Sequence, residues 1–225
     1  MTVVGIDGCR GGWVGIVLRP PRAPAVVFAE TLDRIADEVP DAEAFGIDIP
    51  IGLPTRGPRR ADTVARSFLG LRRASLFPTP IREALVAPTH AEATRRSTLF
   101  TGQGVSQQAY ALGPKILEAE RWSREASRPV WEVHPEVSFA VMLGHPAGAS
   151  KKTAAGTLER LRALEDEGIH LDELGEAGEH AGIDDVLDAA AAAWSAKRLL
   201  HGQGISLPDP PELDPETGRP VAIWA

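Results

Sequence analysis

The chain of 225 residues has one cysteine, Cys9, so no internal disulfide can form and a reducing cytoplasm is the expected compartment. No apolar run approaches the ~18 residues needed to cross a bilayer. The longest alanine stretch, Ala189 to Ala193, is far too short, and no membrane contact is expected. No basic leader precedes an apolar segment at Met1-Thr2-Val3-Val4, so no secretory signal is expected. Positive charge is also in deficit: the net charge of −7 argues against a protein that coats nucleic acid through bulk electrostatics. Two nucleotide-binding fingerprints are missing. Gly5, Gly8, Gly11 and Gly12 do not have the G-x-G-x-x-G spacing. The stretch Gly148 to Thr153 has no Gly-Lys-Ser/Thr junction and follows no strand, which excludes a phosphate loop.

What remains is an ordinary globular composition, 43% hydrophobic and 24% charged, able to fill a real core. Charge is unevenly spread. Arg56, Arg59, Arg60, Arg66, Arg72 and Arg73 crowd one segment against a single acid, Asp62. From Glu159 to Asp188 there are eleven acids, with only Arg160 and Arg162 as arginines. An anionic ligand could find one favourable face, although a solvated helix surface explains the arginines equally well.

Val3 to Ile6 and Trp13 to Leu18 read as strands joined by a glycine-rich turn, and Ala25 to Phe28 as a third strand. A helix capped by Thr31 follows, then a fourth strand over Phe45 to Ile49. The centre is helical, over Arg60–Leu71, Ala91–Leu99 and Gln107–Arg124. Val130 to Val133 forms a fifth strand. Helices from about Glu136, from Lys151 to Glu167 and from Asp184 to Leu200 complete the pattern, with a last short strand over Val221 to Trp224. Three successive strands followed by helix–strand units make a mixed α/β sheet flanked by helices rather than a strict βαβ alternation.

The chemistry lies in acids at strand ends. Asp7 closes the first strand, Asp48 the fourth, and Glu132 sits in the fifth, each beside large apolar residues that imply burial. A buried carboxylate must be hydrogen-bonded, paired with a base or bound to metal. On the last long helix, Asp184 and Asp185 suit an N-terminus, but Asp188 sits one turn inside, against the alanine-rich face. Like charges at these spacings destabilise a helix unless a cation neutralises them. Oxygen-only donors without His/Cys spacing favour Mg²⁺ or Mn²⁺ over zinc.

An Asp ending the first strand of a three-strand meander, an acid on the fourth strand and Asp185-Val186-Leu187-Asp188-Ala189 on the final helix resemble the RNase H-like nucleases, notably the Holliday-junction resolvase branch. The whole chain resembles more closely a bacterial and archaeal family, domain-of-unknown-function 429, regarded as RNase H-like nucleases. The matching segments are Val4 to Trp13, Gly46 to Pro54, Glu132 to Glu136, Lys151 to Thr153 and Asp184 to Ala189. The resemblance implies one RNase H-like domain over 1–225: a five-stranded mixed sheet, a helical insertion at about 55–128 and a strand-containing tail at about 205–225.

It further implies a phosphodiester-hydrolysing enzyme. Asp7, Asp48 and Asp188 would be the metal ligands, with Glu132 and Asp185 as further catalytic acids around two cations. Gly8, Gly11 and Gly12 would admit a phosphate, and Arg10 and Lys115 would contact it. Independently of the resemblance, Arg56, Arg59 and Arg60 follow the strand carrying Asp48, whose end is expected to deliver them to the rim of the carboxylate site, where they could hold a phosphate. His134 and Glu136 would support the ligands or carry protons. The expected partner is nucleic acid or another phosphoester, and homo-oligomerisation stays open. A Cys9 thiol nucleophile is disfavoured because the local sequence supplies no base. Two other classes compete. An actin-like phosphotransferase also places an acid and glycines on its first hairpin but needs two such domains. A non-catalytic binding or assembly module could keep the acids as a structural site.

Overall fold

A computed structural model describes residues 1–215 and 217–225. Strands β1 (Val3–Cys9) and β2 (Gly12–Leu18) form a hairpin with Cys9 opposite Gly12. Its two-residue turn places Gly11 at φ +83°, where a side chain would be strained. Strand β3 (Ala25–Ala29) continues the meander. Helix α1 (Leu32–Glu38) begins at Thr31, whose hydroxyl accepts the Arg34 N–H at 3.4 Å. Strand β4 (Ala44–Ile47) pairs in parallel with β1, and β5 (Val130–Glu132) in parallel with β4, giving the order β3-β2-β1-β4-β5. This mixed five-stranded sheet, with helices on both faces, is the α/β arrangement the sequence predicts.

Between β4 and β5 run α2 (Arg60–Leu69), α3 (Arg82–Leu85), α4 (His90–Thr101), α5 (Gln107–Ala111) and α6 (Gly113–Glu125). The last two were expected as one helix. Gly113-Pro114 divides them, because proline at the start of α6 cannot donate to the preceding turn. After β5 come α7 (Pro135–Leu143), α8 (Ala154–Asp166) and α9 (Ile183–Leu200). The chain ends in a two-stranded ribbon, β6 (Ser206–Leu213) and β7 (Pro220–Trp224). The sequence predicts no strand at β6 because of its prolines. Pairing runs through Ser206 and Leu207 and then Glu212 and Leu213, and the intervening register shift takes up Pro208, Pro210 and Pro211.

Side-chain alternation sorts the sheet into two faces. Val4, Ile6, Val17, Phe45 and Ile47 pack with Leu32 and Ile35 of α1 and Ile116, Ala119 and Trp122 of α6. Val3, Val14, Ile16 and Ala44 face α9, with Phe139 of α7 and Leu164 of α8 behind it. Helix α9 lies unusually near the strands. A Cβ on Gly5 would sit 1.9 Å from the Ala193 nitrogen, and one on Gly46 2.5 Å from the Ala192 oxygen. At these two strand positions only glycine fits beneath the helix. Among the described residues, no helix is long and apolar enough to cross a membrane.

Candidate metal centre

The same alternation puts Asp7 and Asp48 on one side. Asp7 follows Val3 and Gly5, and Asp48 follows Ala44 and Gly46, all on the α9 face. Parallel pairing aligns Ile6 with Ile47, and the Asp48 N–H donates to the Ile6 carbonyl at 2.9 Å, so the two acids are neighbours across adjacent strand ends. Close packing of α9 brings Asp188 over them. One carboxylate oxygen from each of Asp7, Asp48 and Asp188 lies within 4.8 Å of the others. Asp7 and Asp188 are buried, Asp48 half-buried.

The three acids burden one another. Burial, and after it the charges of Asp48 and Asp188, hold Asp7 well above the usual carboxylate range. Asp48 is raised by burial and by Asp188. Burial pushes Asp188 up to about 6 against the pull of Lys151, whose ammonium donates to Asp188 Oδ2. The Gly8 N–H donates to Asp7 Oδ1 at 2.6 Å. Asp185, half-buried, accepts the Gly182 N–H at 3.1 Å at the start of α9, and burial raises it too. A cluster of hard oxygen donors with its negative charge largely uncompensated fits a divalent cation.

Other expected site residues are committed elsewhere. Glu132 belongs to the opposite face, beside Ile47, and is chelated by Arg59 at 2.7 and 2.8 Å and by the Ile51 N–H at 2.7 Å. Arg59 is not the exposed phosphate contact expected at the rim. It is buried, its guanidinium divided between Glu132 and Asp62 (2.5 and 3.0 Å), and these two anions raise its pKa despite burial. Its fork of donors is satisfied by these carboxylates and the Ile51 carbonyl, at 2.9 Å, and has none left for a phosphate. Arg60 is exposed and lines a neighbouring groove with Arg56, Arg82 and Arg124, outside the carboxylate cavity. Glu136 is held from both oxygens by the fully buried Arg160, at 2.6 and 2.8 Å.

His134 lines the cavity with its Nδ1 buried and unpartnered, and burial lowers its pKa to about 4, so the ring is neutral near pH 7. Lys115 donates to the Gly12 carbonyl and lies 4.1 Å from the Trp13 ring centroid, bracing the hairpin. Burial raises the Cys9 thiol, opposite to what a nucleophile needs. Arg10 and Gly11 are exposed at the hairpin tip, and Gly8 joins the carboxylates in the cavity wall.

The acids open into a cavity of about 600 Å³. Its walls include Ile49, Leu76, Phe77 and Leu112, with exposed Leu71 and Lys152 among the lining residues. Lys151 and Arg160 were not singled out as site residues. Neither partner is legible locally, since Lys151 is 37 positions from Asp188 and Arg160 is 24 from Glu136. The only signal for Arg160 was its rarity as a base within an acidic segment.

The profile of a family described as a protein of unknown function, DUF429, matches residues 5–213. No curated protein matches the chain. A solved structure, that of Thermus thermophilus RuvC, is similar at 13% identity over 90% of this chain and 98% of its own, with a TM-score of 0.37.

Proposed function

Taking as premise that the chain belongs to the DUF429 family, we propose that it is a divalent-cation-dependent phosphodiesterase acting on nucleic acid or a smaller phosphoester. One observation carries the reading: Asp7, Asp48 and Asp188 converge from two adjacent strand ends and a helix, without an arginine among them, at the wall of an open cavity. Three carboxylates this near one another are costly unless a cation joins them.

Asp7, Asp48 and Asp188 would hold the ion, and Mg²⁺ or Mn²⁺ suits their oxygen-only chemistry. When bound, it supplies Lewis-acid stabilisation of charge developing on a phosphoryl group. The chain's own residues do the rest. The Gly8 N–H orients Asp7, and Asp48 is set by the backbone bond of its own N–H to Ile6. Lys152, exposed at the cavity, is placed to attract an anionic substrate that the acids alone would repel. Neutral His134, its Nδ1 unpartnered, can accept a hydrogen bond at the cavity wall without adding positive charge to it. Apolar Phe77, Leu76 and Leu112 give the non-phosphate part of a substrate a dry wall.

The test is a cleavage screen with Mg²⁺ and Mn²⁺ titrated over single-stranded, duplex, hybrid and branched nucleic acids and a small chromogenic phosphodiester. Activity that needs metal and disappears in Asp7→Asn supports the reading. No metal-dependent cleavage of any of these substrates would count against it.

A further inference from the structure

Lys151 lies in the loop between α7 and α8, outside the strands and helix that carry the acids. Its ammonium nevertheless reaches the carboxylate cluster, donating to Asp188 Oδ2, and its charge acts on Asp48 and Asp7 as well. The Asp188 side chain is 3% exposed and that of Lys151 33%, so the pair sits at the floor of the cavity rather than on open surface. An ammonium is a compact point charge with three rotatable donors, closer in size and behaviour to a metal ion than the planar forks that arginine gives Glu132 and Glu136. A carboxylate has two oxygens. With Oδ2 on Lys151, Asp188 can serve the ammonium and a shared cation together.

Charge bookkeeping then limits what the cluster accepts. With Asp185 engaged by the Gly182 N–H at the start of α9 and outside the converging set, Asp7, Asp48 and Asp188 bring three negative charges and Lys151 one positive, leaving two to be neutralised. One divalent cation does that. Two would set five positive charges, lysine included, against three largely buried carboxylates, an excess that such a site opposes. Resting on the metal-centre reading above, we propose that Lys151 is a resident cation of the cluster, standing where a second divalent ion would bind, so that the protein loads one divalent cation and not the two expected for a nuclease of this kind.

The intact protein is titrated with Mn²⁺ and followed by electron paramagnetic resonance, which counts bound ions and reports spin coupling between neighbours. The expected result is one uncoupled Mn²⁺ in the parent and in Lys151→Arg, and two coupled ions in Lys151→Met, which removes the charge but keeps the stem. Lys151→Gln replaces the methionine variant if that protein does not fold. Two coupled ions in the parent overturn the proposal, as does a count of one in the charge-removing variant. A parent that binds no Mn²⁺, and melts identically to Asp48→Asn with and without it, sinks the metal-centre reading itself; the proposal falls with it, but for that separate reason.

Discussion

Two sets of buried or half-buried acids line the same cavity, and they have been treated in opposite ways. Glu132, Asp62 and Glu136 are clasped by buried arginines, Arg59 and Arg160, through short two-pronged bonds. Asp7, Asp48 and Asp188 receive no arginine and share one lysine, Lys151, and their carboxyls are all held above the usual range. Burial is common to both sets and cannot distinguish them. What differs is whether the fold brings its own neutralising partner. An acid that the chain neutralises with arginine is framework; one left in want of charge is a place for a ligand.

The comparison breaks most sharply at Arg59. Arg59→Met should strand Glu132 and Asp62 as uncompensated buried charges and cost about 3–5 kcal/mol, read as a lowered midpoint in urea. A loss below about 1 kcal/mol would mean that the arginine pairs are not structural. The unpaired set should answer to metal instead. Mg²⁺ at a hundredfold excess over its Kd should stabilise the parent by about 2.7 kcal/mol, and Asp48→Asn should remove most of that gain, with calorimetry as the readout.

Protonation sharpens the contrast further. The Asp188 carboxyl is raised in the folded state from 3.8 to about 6, so its contribution to stability is full below about pH 4 and is lost as pH rises through 6. His134 works in the other direction: lowered from 6.5 to about 4, it contributes above pH 6.5 and loses that contribution as pH falls through 4. The histidine effect is common to metal-free and metal-loaded protein and cancels in their difference. Melting curves with and without Mg²⁺ should therefore separate as pH rises from 4 to 7; a constant gap would show that the acids do not ionise in that range. The smallest effect is expected at Arg60, exposed and away from the acids. Arg60→Ala should change stability by less than about 0.5 kcal/mol and leave substrate binding at low salt as in the parent, checked by fluorescence anisotropy.

Much of this was legible in the sequence. Alternation alone sets Asp7 in phase with Val3 and Gly5, and β-strand patterning sets Asp48 beyond Ala44 and Gly46, so these two acids could be placed at neighbouring strand ends. Phase also separates Glu132 from them, since it is in step with Val130 and its β4 neighbour Ile47, on the other face. Reading acids by their strand positions without that step merged two sets into one. The arginine partners could not be read, because Arg59 meets Glu132 across 73 residues and no local pattern encodes such a contact. The basic segment therefore looked like a phosphate-binding surface when its best-placed member is internal. The ribbon at β6 was hidden for a different reason: its prolines occupy the part of the strand that does not pair.

Where α9 crosses Gly5 and Gly46, its contact with the sheet has no side chains beyond the methyl groups of Ala189, Ala192 and Ala193, and that sets how finely the whole centre is machined. Gly5 and Gly46 act as bearings on which the helix rests, and the clearance beneath it is smaller than one carbon atom. Asp188 is thus gauged against Asp7 and Asp48 by backbone on backbone, the stiffest ruler a protein has, rather than by a layer of interchangeable rotamers. Most cores can be refitted residue by residue while keeping their volume. This seam has no slack to redistribute, and any carbon added there must be taken up as a displacement of the helix that carries the third acid.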